Sequence, residues 1–125
     1  MKAHEIRNKA VADLLMHAKF EIRNIIDHRI RLGEMDENPD EEYYEIPVFG
    51  FGVEEVTIAI LVGNTYDEEE CYEPRTIKEF IDHDGTVYIR TEEDDELSLR
   101  ELPFDTLVAV VAMLEEMWTN LIAGK

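Results

Sequence analysis

The sequence predicts an α+β fold: an antiparallel β-meander of four to five strands, packed by a long N-terminal helix and an apolar C-terminal helix. Three observations predict it. Apolar residues recur at helical 3–4 spacing at both ends of the chain. Between them lie short runs of β-branched and aromatic residues. Those runs are joined by turn-length connections, which favour antiparallel neighbours and leave the helices to cover one face. One domain, residues 1–125, is expected, and 125 residues suffice for a real core.

The first helix is expected over residues 3–32. Val11, Leu15, Ala18, Ile22, Ile25 and Ile26 form one stripe, within an arc of about 100°. Gly33 suits the position after the helix, and Arg29 and Arg31 suit its negative end. Met16 and Phe20, four apart, project away from that stripe. They are a candidate contact for a partner, a second copy of this chain included, so a homodimer through this helix is one expectation.

Residues 34–45 read as an acidic linker broken at Asn38-Pro39, and residues 46–99 as the meander. Pro47 confines its segment to a sheet edge. Val56, Ile58 and Ile60 alternate with Thr57, Ala59 and Leu61, a strand apolar on both faces. Residues 76–81 suit a strand or a helical turn; the Asp84-Gly85 pair that follows, preferred in tight hairpins, favours the strand. Thr86–Thr91 is strongly β by composition. Ser98 and Glu101 have capping-box spacing. The last helix, 104–122, carries Leu107, Val110, Val111, Leu114, Trp118 and Leu121 on one face.

Charge is the other strong signal. The formal net charge is −18, with 12 Lys and Arg against 30 Asp and Glu. Residues 1–32 are basic by +3 while residues 33–125 carry −21. Seventeen acids fall in runs at 34–45, 67–73 and 92–96. Such a body repels nucleic acid and anionic membrane and attracts basic protein surfaces. In a meander the three runs would gather at one end of the sheet. The residues expected to touch a partner are therefore Glu92, Glu93, Asp94, Asp95, Asp67, Glu68 and Glu69, with Met16 and Phe20 on the helix. A DNA mimic that blocks a nucleic-acid enzyme is the alternative, since duplex DNA carries a charge roughly every 1.7 Å. A weak divalent-cation binder ranks third, because no run has EF-hand ligand spacing.

No catalytic constellation is legible, and no enzyme activity, cofactor or metal centre is expected. Asp82-His83-Asp84-Gly85-Thr86 resembles the Asp-x-Asp-x-Thr motif of aspartate-dependent phosphatases. That motif follows a buried parallel strand in a much larger α/β fold, so the segment reads here as a hairpin turn. His17 and His28 are roughly 16 Å apart along the first helix, too far to share a metal, and are expected as solvated flank residues. Cys71, the single cysteine, sits among acids that disfavour its thiolate. With no signal core and no long apolar run, a cytoplasmic and bacterial setting is expected.

Overall fold

The computed structural model describes residues 2–36, 43–64 and 70–124. Among them, two α-helices, α1 (Ala3–Arg31) and α2 (Phe104–Ile122), flank five antiparallel strands along the chain. The strands are β1 (Tyr43–Pro47), β2 (Thr57–Asn64), β3 (Glu70–His83), β4 (Thr86–Thr91) and β5 (Glu96–Ser98). The fold is α+β, with an antiparallel sheet, as the sequence predicts.

α1 ends in a hydrogen-bonded stop. The Glu34 amide donates to the Arg29 carbonyl and the Gly33 amide to the Ile30 carbonyl. Gly33 takes φ +76°, which a side chain would strain. Only the second half of α1 is deeply buried, through Ala18, Ile22, Ile25 and Ile26. α2 is more apolar and buries Leu107, Val110, Val111, Met113, Leu114 and Met117. The two helices run in the same direction: Ile6 and Phe104 line one cleft, His17 meets Glu115, and His28 meets Trp118.

β2, β3, β4 and β5 pair in succession, which is the predicted meander. Asp84 and Gly85 both have positive φ and make the two-residue turn from β3 to β4. β1 departs from the simple path. It pairs with the second half of β3, Tyr43 opposite His83 and Pro47 opposite Glu79, and not with β2. β2 pairs with the first half of β3, Thr57 opposite Thr76. The two strands therefore lie end to end along β3. The Val48 amide bonds the Lys78 carbonyl and the Ile77 amide bonds the Val56 carbonyl, so residues 49–55 are an excursion between two stretches of one ladder. Asn120 of α2 fastens that excursion, donating from Nδ2 to the Phe51 carbonyl at 2.7 Å.

Strand alternation sets the two faces. Ile46, Phe80 and Ile89 lie opposite one another and are buried in the core beneath the helices. The row Pro47, Glu79, Arg90, Glu96 faces the other way. Both strand prolines sit where no ladder bond is lost: Pro47 ends β1, and Pro74 lies in β3 before the pairing with β4 begins at Ile77.

Candidate functional site: an acidic sheet with enclosed arginines

The turn at 92–95 is tightly built. The Thr91 amide donates to the Asp95 carbonyl, the Asp94 amide to the Thr91 carbonyl, and the Asp95 amide to Thr91 Oγ1. The Thr91 hydroxyl, fully buried, donates back to Asp95 Oδ2 at 3.1 Å. Arg75 then crosses from β3 into the turn. Its Nε donates to Asp95 Oδ2 at 2.8 Å, its Nη2 to Glu73 Oε2 at 2.7 Å and its Nη1 to the Pro74 carbonyl at 3.0 Å. Glu93 lies 3.7 Å away. Bonds to Glu73 and Asp95 raise the Arg75 pKa above its ordinary value. One guanidinium thus ties two of the acidic runs together.

A second enclosed arginine lies on the sheet face turned away from the core. Arg90 of β4 donates to Glu79, whose side chain is almost fully covered, and reaches Glu45 at 3.7 Å and Glu96 at 3.6 Å. The Tyr43 hydroxyl donates to Glu45 at 3.1 Å. Tyr43 and Glu79 together raise the Arg90 pKa. Burial is the main reason the Tyr43 pKa is raised as well. Lys78 reaches Asp94 at 3.9 Å. Arg75, Lys78 and Arg90 are the cations of the sheet, and each is matched or outnumbered by carboxylates. The excess charge left on the sheet is negative.

The expected contact residues separate accordingly. Asp95 is half-buried and spent on Thr91 and Arg75. Glu92, Glu93 and Asp94 are exposed. Glu92 has no side-chain partner among the described residues, and the ion pairs of Glu93 and Asp94 are long. Asp67, Glu68 and Glu69 lie outside the described residues. Met16 and Phe20 are exposed on α1, by 67% and 62%.

The three acidic runs do not gather at one end. Tyr43 opposite His83 brings the chain into β1 at the end of the sheet that holds the Asp84-Gly85 turn. The end of β2 and the start of β3, Asn64 paired with Glu70, lie at the opposite end. The expectation assumed that β1 and β2 form a hairpin. They run in the same direction along β3, which reverses the end at which the first run arrives. The other two runs do meet, at Arg75.

The histidines also touch the second helix. His17 Nε2 lies 2.6 Å from Glu115 Oε1 of α2, and the His28 ring packs edge-on against Trp118 at 5.8 Å. Both reach from α1 to α2, and His17 stays partly solvated there, its side chain 42% exposed. Next to His17, Glu21 is buried at the helix interface, and its Oε2 has no hydrogen-bond partner among the described residues. Burial pushes the Glu21 carboxyl above its ordinary value; His17 pulls it down and Glu115 adds to the rise. In sequence, the signal was a carboxylate at 21 between the stripe positions 18, 22 and 25.

Among the described residues, no group of three or more His, Cys, Asp or Glu side chains is placed to hold a metal ion. No helix among them is long and apolar enough to cross a membrane. Comparison with protein-family models, with curated proteins and with solved structures finds no match to this chain.

Proposed function

We propose that this chain is a non-enzymatic, cytoplasmic protein-interaction or regulatory module whose acidic sheet docks a basic protein surface. The observation that carries the reading is the fate of the sheet's cations. Arg75 and Arg90 are each enclosed by three carboxylates, so the sheet keeps a negative excess on rigid, hydrogen-bonded backbone. Glu92, Glu93 and Asp94 offer that charge at an ordered turn, which lowers the entropy lost on docking. The DNA-mimic alternative asks for carboxylates at phosphate-like spacing. The row across the sheet is broken by Arg90 between Glu79 and Glu96, which weighs for a protein partner.

Capture from native-host lysate at low salt, followed by a salt gradient, tests the reading. The expected catch is a basic protein that elutes early with salt and is indifferent to competitor DNA. The variant Glu92→Lys/Glu93→Lys/Asp94→Lys should lose it. A catch displaced by DNA, or one unaffected by the charge reversal, would sink the proposal.

A further inference from the structure

We propose that the cavity between α1, β4 and the turn Leu99–Glu101 is a binding site for a small amphipathic anion, an apolar group bearing a carboxylate. This site is separate from the acidic sheet and does not rest on the docking proposal. The cavity is about 180 Å³ in volume and partly enclosed, with apolar walls from Leu15, Met16, Val87 and Leu99. Its rim carries Lys19 from α1 and Arg100 from the turn, and among the described residues no acidic one lines it. A cavity of about 150 Å³ with aliphatic walls takes a benzene-sized guest, so the apolar part of the ligand has about six carbons.

Two observations on the charges point to an anion. In a chain with 30 acids and 12 bases, a cavity whose charged lining among the described residues is Lys19 and Arg100 is a local reversal of sign. Moreover, of the four Lys and Arg residues among the described part of 33–124, Arg75 and Arg90 are hydrogen-bonded to carboxylates and Lys78 lies 3.9 Å from Asp94. Arg100 alone has no acidic partner among the described residues. Its neighbour Glu101 is turned instead to the Ser98 amide, at 3.1 Å, closing the capping box that fixes the turn. The Arg100 amide donates to Ser98 Oγ, so the backbone beneath the guanidinium is held in place. A guanidinium pairs with a carboxylate through two parallel N–H donors, which gives this rim a directional preference for that group. Lys19 adds a second charge from the facing helix, and the apolar walls exclude a ligand without a hydrocarbon part. The surrounding acidic surface repels anions at long range, so the site selects ligands whose hydrocarbon end contributes binding of its own.

Hexanoate, 1-hexanol and hexylammonium are suitable probes, followed by backbone amide shifts in two-dimensional NMR. Hexanoate is expected to bind with a Kd of about 1 mM, in line with the limited affinity of so few atoms. It should shift the amides of Leu15, Met16, Val87, Leu99 and Arg100. Hexanol should bind about tenfold more weakly and hexylammonium not at all. Arg100→Gln and Lys19→Gln, both exposed positions, should each weaken hexanoate about five- to tenfold and leave hexanol unchanged. Equal affinity for hexanoate and hexanol, retention of hexanoate in Arg100→Gln, or shifts confined to residues elsewhere would overturn the assignment. Loss of the sheet's basic partner in the lysate experiment leaves these outcomes unaffected, so the two proposals fail separately.

Discussion

Replacing Glu21 by methionine should stabilise the protein at neutral pH. Glu21 is 6% exposed, and its Oε2 is buried with no hydrogen-bond partner among the described residues. Leaving a buried acceptor unsatisfied costs about 1–3 kcal/mol, and more when it is charged. Methionine is close to Glu in length and in helix propensity, and it adapts to irregular space. The unfolding entropy of about 2.1 cal/mol/K per residue, taken over 125 residues, gives roughly 0.26 kcal/mol/K. A gain of about 1–3 kcal/mol therefore raises Tm by about 4–11 °C. The pH dependence supplies the check on cause. The folded Glu21 carboxyl titrates above its ordinary value of 4.5. Below that ordinary value it is protonated in both folded and unfolded chains, and no charge is buried. As pH rises through the raised folded value, the unfolded chain releases its proton first, so stability falls. The charged groups facing Glu21 are His17 on the same helix and Glu115 on α2, and their contributions oppose each other. Melting curves at pH 4.5 and pH 7.5 should then show a larger advantage for Glu21→Met at the higher pH. An advantage equal at both values, or a lower Tm at pH 7.5, would refute the account of an unsatisfied buried carboxylate.

Three further outcomes are expected. Phe80→Ala empties a fully buried site at the centre of the sheet and should cost about 3–5 kcal/mol in urea unfolding. Gly85→Ala meets no neighbouring atom, but it forces a side chain onto φ +82°, so a loss of about 1–2 kcal/mol is expected from conformational strain alone. Arg90→Met removes the cation among Glu45, Glu79 and Glu96. It should lower Tm at pH 7, with part of the loss recovered in 0.5 M sodium chloride, because salt screens the repulsion among the carboxylates left behind.

The helices were legible because their apolar periodicity is long and their ends carry local signals. Gly33 and the Ser98–Glu101 box act through backbone hydrogen bonds a few residues away, so sequence alone exposes them. The hairpin at Asp84-Gly85 was legible for the same reason, as both residues accept positive φ. The pairing of β1 was not legible. Whether nine residues close a hairpin or carry the strand forward along β3 depends on partners some thirty positions later. The site suffered from that same blindness. Asp95 reads as one more acid in a run, yet Arg75, twenty residues earlier, makes it a structural residue. His17 likewise acquires its meaning from Glu115 on the other helix. Long-range pairing leaves no periodic trace in the sequence.

The end-to-end placement of β1 and β2 also bears on the order in which the chain folds. The pairings of β2 with β3 and of β3 with β4 join segments close in sequence, Asn64 with Glu70 and His83 with Thr86. β1 must wait for β3, since Tyr43 pairs with His83 and Ile46 with Phe80. Closing so long a loop is slow, and its entropy is recovered only when Ile46 reaches the core. β1 should therefore join a preformed β2–β3–β4 unit late in refolding. Pulse-labelling hydrogen exchange would show this as later protection of the Tyr44 and Ile46 amides than of the Ile81 and Tyr88 amides, which face each other across β3 and β4.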